Sequence, residues 1–232
     1  MIRGGDAPSR QPPSTGTGTA GTARAWYSRM VHVSLVPTFV THYHHAGRAP
    51  FLNLSDLPDE HLTLVLAELA VPAEQTVSAR RFGPRYMALR RATETCLRER
   101  FVAAGGRPQR RAPHYFVLGA SDWFAGLYLH AGTVRLPLSA LPPEVTSLTY
   151  ADSITAMGLG VPLGLPAPHP DHAGRVYRLD ALHELAARHN PHADDAPDQL
   201  AGYTGHQHQP VDSYVEVQLW SNEPVLAHLR KT

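Results

Sequence analysis

The stretch Ser213–Trp220 reads Ser-Tyr-Val-Glu-Val-Gln-Leu-Trp, and it narrows what this chain can fold into more than any other segment. Its period of two marks a β-strand. One face carries Val215, Val217 and Leu219, an ordinary core face, and the other carries Tyr214, Glu216, Gln218 and Trp220. A solvated strand face shows Thr, Lys, Ser or Arg. This one sets a single carboxylate and a carboxamide between two large aromatics. Such a surface suits a cleft that holds a planar, polar ligand; the plainer reading is an edge strand whose Tyr and Trp cover a loop. Glu216 stands at the centre. Flanking aromatics raise the cost of an unpaired charge, so a carboxylate kept there needs a partner or a role.

With 232 residues the chain is long enough for one large domain, with or without a tail. A formal net charge of +1 provides no global field to draw in nucleic acid or an anionic membrane, although a local basic patch stays open. Lys231 is the only lysine, and the Arg, Ala, Pro and Gly usage reads as the coding bias of a GC-rich bacterium. Cys96 is the sole cysteine, which removes any intrachain disulfide and any thiolate metal cluster. No apolar run approaches the roughly 20 residues of a membrane span, and the N-terminus has no continuous apolar segment of the secretory kind. No membrane partner and a cytoplasmic location are the expectations.

Residues 1–29 are rich in Gly, Ser, Thr and Pro and are expected to be a disordered tail, with Met30 a possible alternative start. Residues 30–232 are expected to form a single α+β domain. A strand-like run covers Val31–Val40 and leads into Thr41-His42-Tyr43-His44-His45. Ser55, with Pro58 inside the first turn, is expected to open a helix striped by Leu62, Val65, Leu66 and Leu69. A longer helix is expected from Pro84 to about Ala104, stopped by Gly105-Gly106. Tyr86, Leu89, Thr93, Cys96, Leu97 and Phe101 would face inward, while Arg90, Arg91, Glu94, Arg98 and Glu99 would form a solvated, salt-bridged face. Strands are expected at His114–Leu118, Val134–Leu138, Val145–Tyr150 and Arg175–Leu179, a helix at Asp180–His189, and a last strand or helical turn at Pro224–Leu229. Helices early and strands late argue for helices packed on a mostly antiparallel sheet, continuous or split.

Two further groups of residues carry chemistry. Asp152-Ser153 follows the Val145–Tyr150 strand, where it is either a ligand contact or an Asx turn bonding its own backbone. Histidines pair at His42/His44, His169/His172 and His206/His208, a spacing metals use, yet no third ligand stands at a known interval and HExxH is absent. No metal ligand is therefore assigned. Arg80, Arg81 and Arg85 flank Phe82-Gly83-Pro84 at a helix start, where anions are favoured. GxGxxG before a helix, GxxxxGK[ST] and GxSxG are all missing.

The order of these pieces resembles the mono-ADP-ribosyltransferase fold, most of all the nucleic-acid-targeting toxins of toxin–antitoxin modules. The resemblance rests on the early Tyr- and His-bearing strand, Tyr115-Phe116, Val134-Arg135-Leu136-Pro137-Leu138-Ser139, the Thr149-Tyr150-Ala151-Asp152-Ser153 turn, and Val215-Glu216-Val217-Gln218 running on to Pro224-Val225-Leu226. It spans about 31–229. It implies NAD as substrate in a cleft, with Glu216 as the catalytic carboxylate that stabilises an oxocarbenium-like transition state. It also implies His42 or His44 against the dinucleotide, Arg81 or Arg85 as anion partner, Tyr115 and Tyr150 beside the nicotinamide, and Gln218 within the cofactor site. The acceptor is left open, a nucleobase or other nucleic acid included. Two departures stand out: the usual early signature, a His strand followed by an Asn-Leu and a helix leading to Gly, is not reproduced after His42, and the Gln-x-Glu or Glu-x-Glu order of the protein-modifying branch is reversed as Glu216-Val217-Gln218. Beside this stand two other classes: a non-catalytic module recognising a small molecule or protein through Tyr214, Glu216, Gln218 and Trp220, and a His-ligated metalloenzyme.

Overall fold

A computed structural model describes residues 36–69, 84–125, 131–150, 152–163, 167–189 and 214–231. The chain divides into two units, Met1–Val33 and Ser34–Thr232. The first, with the expected tail, lies outside the described residues, and so do 31–35 of the expected first strand.

The second unit is α+β. Its described elements are β1 (Phe39–His45), α1 (Asp59–Leu69), α2 (Pro84–Ala103), β2 (His114–Leu118), α3 (Asp122–Ala125), β3 (Ala131–Pro137), β4 (Thr146–Tyr150), α4 (Ser153–Ala156), β5 (Tyr177–Arg178), α5 (Leu182–His189), β6 (Val215–Leu219) and α6 (Glu223–Leu229). The strands make one continuous six-stranded sheet in the order β3-β1-β2-β6-β4-β5. Each neighbouring pair is antiparallel.

Register sorts the side chains onto two different faces. Phe116 pairs with Val217 and Val217 with Leu148, so these lie on one apolar face. That face packs with Val40, Leu136, Val215, Leu219 and Phe51, and with Leu182, Leu185 and Val225 from α5 and α6. On the opposite face Val117 pairs with Glu216 and Glu216 with Thr149, while Tyr115 pairs with Gln218 and Gln218 with Ser147. Helix α2 lies over this second face: Leu97 and Phe101 meet Trp220 in a separate cluster, with Met157 and Val176 at its margin. The Phe101 and Trp220 rings stack at 6.2 Å between centroids.

Local sequence explains most boundaries. Gly105 takes φ +86° just past α2, as an αL helix stop requires. A Cβ on Gly106 would sit 2.5 Å from the Phe101 ring, so the chain can turn this closely only with glycine. Three expectations are corrected. The first capping residue is Asn53, whose Oδ1 accepts from Ser55 N to open a short 3-10 turn; α1 itself starts only at Asp59, after Pro58. The expected strand Arg175–Leu179 shrinks to two residues because a 3-10 turn at Leu179–Ala181 takes over the chain. The charged face of α2 is not wholly solvated: Glu94 is 4% exposed. The 53–56 loop covers that side, where Arg90 donates from Nε to Glu94 Oε1 and Ser55 Oγ, and from Nη2 to Asn53 Oδ1. The open choice at Pro224–Leu229 resolves to helix.

Phe101 is fully buried and fixes α2 to β6 through Trp220. Phe101→Ala is expected to cost about 3–5 kcal/mol. In urea unfolding the midpoint should fall while the denaturant slope stays unchanged.

Candidate functional site

All five residues of β6 are buried, so every polar group on it must be answered from within the protein. Glu216 is 7% exposed, and Gln218 and Trp220 are fully buried. Tyr214 is 7% exposed and meets Phe124 edge-on at 4.9 Å. On this face only Tyr214 and Glu216 keep any exposure, and Leu97 and Phe101 of α2 lie over Trp220.

The Glu216 carboxyl is held from two elements, β6 itself and α4. Its Oε1 accepts from Gln218 Nε2 at 3.0 Å and from the Ser153 backbone N–H at 3.3 Å. Gln218 Nε2 also donates to Thr149 Oγ1 at 2.8 Å, and Gln218 Oε1 accepts from Ser147 Oγ at 2.8 Å. Ser147 Oγ in turn accepts from Trp220 Nε1 at 2.8 Å. Among the described residues no cation forms an ion pair with Glu216. Burial, and next the charge of Asp152, push its pKa up to about 7, against the smaller opposing effect of the hydrogen bonds from Gln218 and Ser153. Asp152 caps α4, accepting from Thr155 N at 3.0 Å and from Thr155 Oγ1. Of the two readings of this turn, the structure shows the one that bonds its own backbone, with Asp152 as an N-cap; its charge also bears on Glu216.

Tyr115 lies beside Gln218 on β2, with its hydroxyl donating to Glu94 Oε1 at 3.1 Å. Burial raises its pKa well above the ordinary value and keeps it a donor. Arg90 stacks over the Tyr115 ring at 4.8 Å and also donates to Tyr86. Arg90 and Glu94 of α2 thus form a largely buried ion pair, which the i, i+4 charge spacing disguised as surface.

Of the residues named from sequence, the structure brings together Glu216, Gln218 and Tyr115. His42 and His44 lie on the opposite, apolar face: His42 stacks on Phe51 at 4.6 Å and meets Phe116 at 5.7 Å. Its ring is spent on structure. Nδ1 donates to the Tyr115 carbonyl at 2.9 Å and Nε2 accepts from Phe51 N at 3.1 Å, which fixes a neutral tautomer. Burial lowers its pKa to about 4. Tyr150 also lies on that face, its ring 4.9 Å from His172. Arg85 stands exposed in the first turn of α2. Arg80, Arg81 and the His206/His208 pair lie outside the described residues. Among the described residues no group of three His, Cys, Asp or Glu side chains could hold a metal, and no helix is long and apolar enough to cross a membrane.

Sequence reasoning missed three contributors: Ser147 and Thr149, which read as ordinary strand residues, and Glu94. The even spacing of Ser147 and Thr149 put them on one face, but only the β4–β6 register shows that this face is Glu216's. No protein-family model matches the sequence, and neither a curated protein nor a solved structure matches the chain.

Two of the shifted groups, Glu216 and His42, act on stability in opposite directions. Glu216 titrates near 7 when folded and near 4.5 when unfolded, so its contribution is fullest below pH 4.5 and is lost as pH rises to about 7. His42 titrates near 4 folded and 6.5 unfolded, so its contribution is full above pH 6.5 and is lost as pH falls to about 4. Glu216→Gln is therefore expected to be more stable than wild type at pH 8, by up to about 3 kcal/mol. That advantage should vanish below pH 4.5, leaving a stability that climbs with pH between 4 and 6.5. Urea titrations of both proteins across pH check the pattern.

Proposed function

We propose that the protein is a glycosyl-transfer enzyme of the ADP-ribosyltransferase type that acts on NAD, with Glu216 as the reacting carboxylate. One observation carries the reading. A carboxylate is kept at the buried centre of the sheet, without a cationic partner among the described residues, where its own amide would be the more stable choice. A group retained against stability in a polar, water-poor setting is a candidate for chemistry.

The chemistry asked of it suits a group that titrates near neutrality. The bond between the ribose C1′ and the nicotinamide nitrogen breaks, and both electrons leave with nicotinamide. Positive charge then develops on the ribosyl ring. The ionised Glu216, with the negative charge of Asp152 beside it, stabilises that cation, as carboxylates do in glycoside cleavage. The acceptor's lone pair forms the new bond to C1′ and its proton passes to Glu216, whose midpoint of about 7 lets it take and release a proton at neutral pH. Gln218 and Trp220 are fully buried, so the reacting end of the site is at Asp152 and Ser153, where β4 ends and β6 begins. The histidines on the other face take no part in this reading. The acceptor is a nucleophile of open class, a nucleobase among the candidates.

Nicotinamide release from NAD, followed by mass spectrometry with DNA, RNA and protein acceptors present, tests this. Wild type is expected to turn over and Glu216→Gln to lose at least about a hundredfold, the scale of a positioned acid–base group, while Asp152→Asn loses less. Folded wild type that releases no nicotinamide between pH 6 and 9 would overturn the proposal.

A further inference from the structure

We propose that Gln218 is a positioning residue for Glu216, locked in one amide orientation by a buried relay that begins at Trp220 and passes through Ser147. The inference rests on the reading of Glu216 as the reacting carboxylate and adds what holds that carboxylate in place.

The orientation follows from donor and acceptor counting. The indole Nε1 of Trp220 can only donate, and it donates to Ser147 Oγ at 2.8 Å. The serine proton is then directed onward to Gln218 Oε1 at 2.8 Å. With its oxygen committed, the amide must present its NH2 group to the other side. There it meets Thr149 Oγ1 at 2.8 Å and Glu216 Oε1 at 3.0 Å, with the Glu216 carbonyl at 3.4 Å. Ser147, Gln218 and Trp220 are all fully buried, so no bulk water competes for these bonds. The relay thus aims a permanent donor at Glu216 and discourages the flip that would set an amide oxygen against it. Phe101 stacked on Trp220 fixes the far end.

Among the described residues, Ser153 is the only other donor to Glu216. Asp152, from the β4–α4 turn, opposes its ionisation. Tyr115, on β2, donates to Glu94, and on α2 Arg90 and Glu94 are committed to each other. Ser153, the remaining donor, comes from the first residue of α4 and shares the same Oε1. Gln218 is the donor that comes from β6 itself, so it moves with Glu216 as one rigid strand.

The test compares wild type with Gln218→Met and Ser147→Ala. Carboxyl-carbon NMR follows Glu216, assigned by the signal missing from Glu216→Gln, and NAD turnover is measured across pH. Gln218→Met is expected to raise the Glu216 midpoint by about one pH unit, the scale of one lost hydrogen bond to the charged form. It should lower kcat about tenfold with little change in KM. Ser147→Ala touches neither oxygen of Glu216, yet it should shift the midpoint in the same direction by less. Should Gln218→Met fail to fold, Ser147→Ala and Trp220→Phe decide the matter. An unmoved Glu216 midpoint in the folded variants overturns the proposal. The NMR titration needs no turnover, so an absence of NAD cleavage in wild type would defeat the enzymatic reading while still showing whether the relay governs the carboxylate.

Discussion

The pairing of β6 with β2 on one side and β4 on the other is the constraint from which the rest of the domain follows. A strand bonded along both edges has no access to water through its backbone, and here the side chains on both faces are buried as well. The two faces meet that condition by different means. Val215, Val217 and Leu219 do it by area, joining a core that draws on both ends of the sheet. Glu216, Gln218 and Trp220 do it by hydrogen bonds, to one another, to β4 and to the turn beyond it.

Helix α2 closes the second face and has to satisfy the same rule. Its apolar contact is narrow, with Leu97 and Phe101 against Trp220. Further along, it sets Glu94 over Tyr115, and Glu94 would be untenable there without Arg90 one turn away. A buried ion pair is weak support for stability by itself, because desolvation offsets much of the attraction. Its effect here is on specificity: the guanidinium reaches Asn53, Ser55 and Tyr86 at once, which fixes the 53–56 loop to the helix in one arrangement.

Much of this was legible in the residues, and what was not had a physical reason. The alternation in 215–219 and the Gly105-Gly106 stop follow from local geometry and hold in the structure. The α+β class follows from the order of elements, while the sheet order cannot, because pairing between distant strands leaves no mark in either one alone. Burial was misjudged wherever a polar residue was answered by something remote in sequence. Arg90 and Glu94 follow an i, i+4 surface pattern, and only the loop some 35–39 residues earlier turns that pattern inward. His42 and His44 share a face as the period of two requires, but the period does not say which face, and a one-residue shift in register would have put them with Glu216. Tyr150, which the resemblance set beside the nicotinamide, lies on the face opposite Glu216.

The misplacement of the histidines clarifies what the sheet is built to do. His42 bridges β1, β2 and the Phe51 backbone as a neutral ring, with both nitrogens engaged. Glu216, on the other face, is surrounded by donors that leave it free to gain or lose a proton near neutrality. Both groups are buried and both are shifted toward the uncharged form, yet they differ in consequence. Protonating His42 would break a hydrogen bond that the fold uses, whereas deprotonating Glu216 breaks none, since Gln218 and Ser153 both donate to it. Of the two, only Glu216 can change charge at neutral pH while its surroundings stay in place, and that tolerance is what a reacting carboxylate requires.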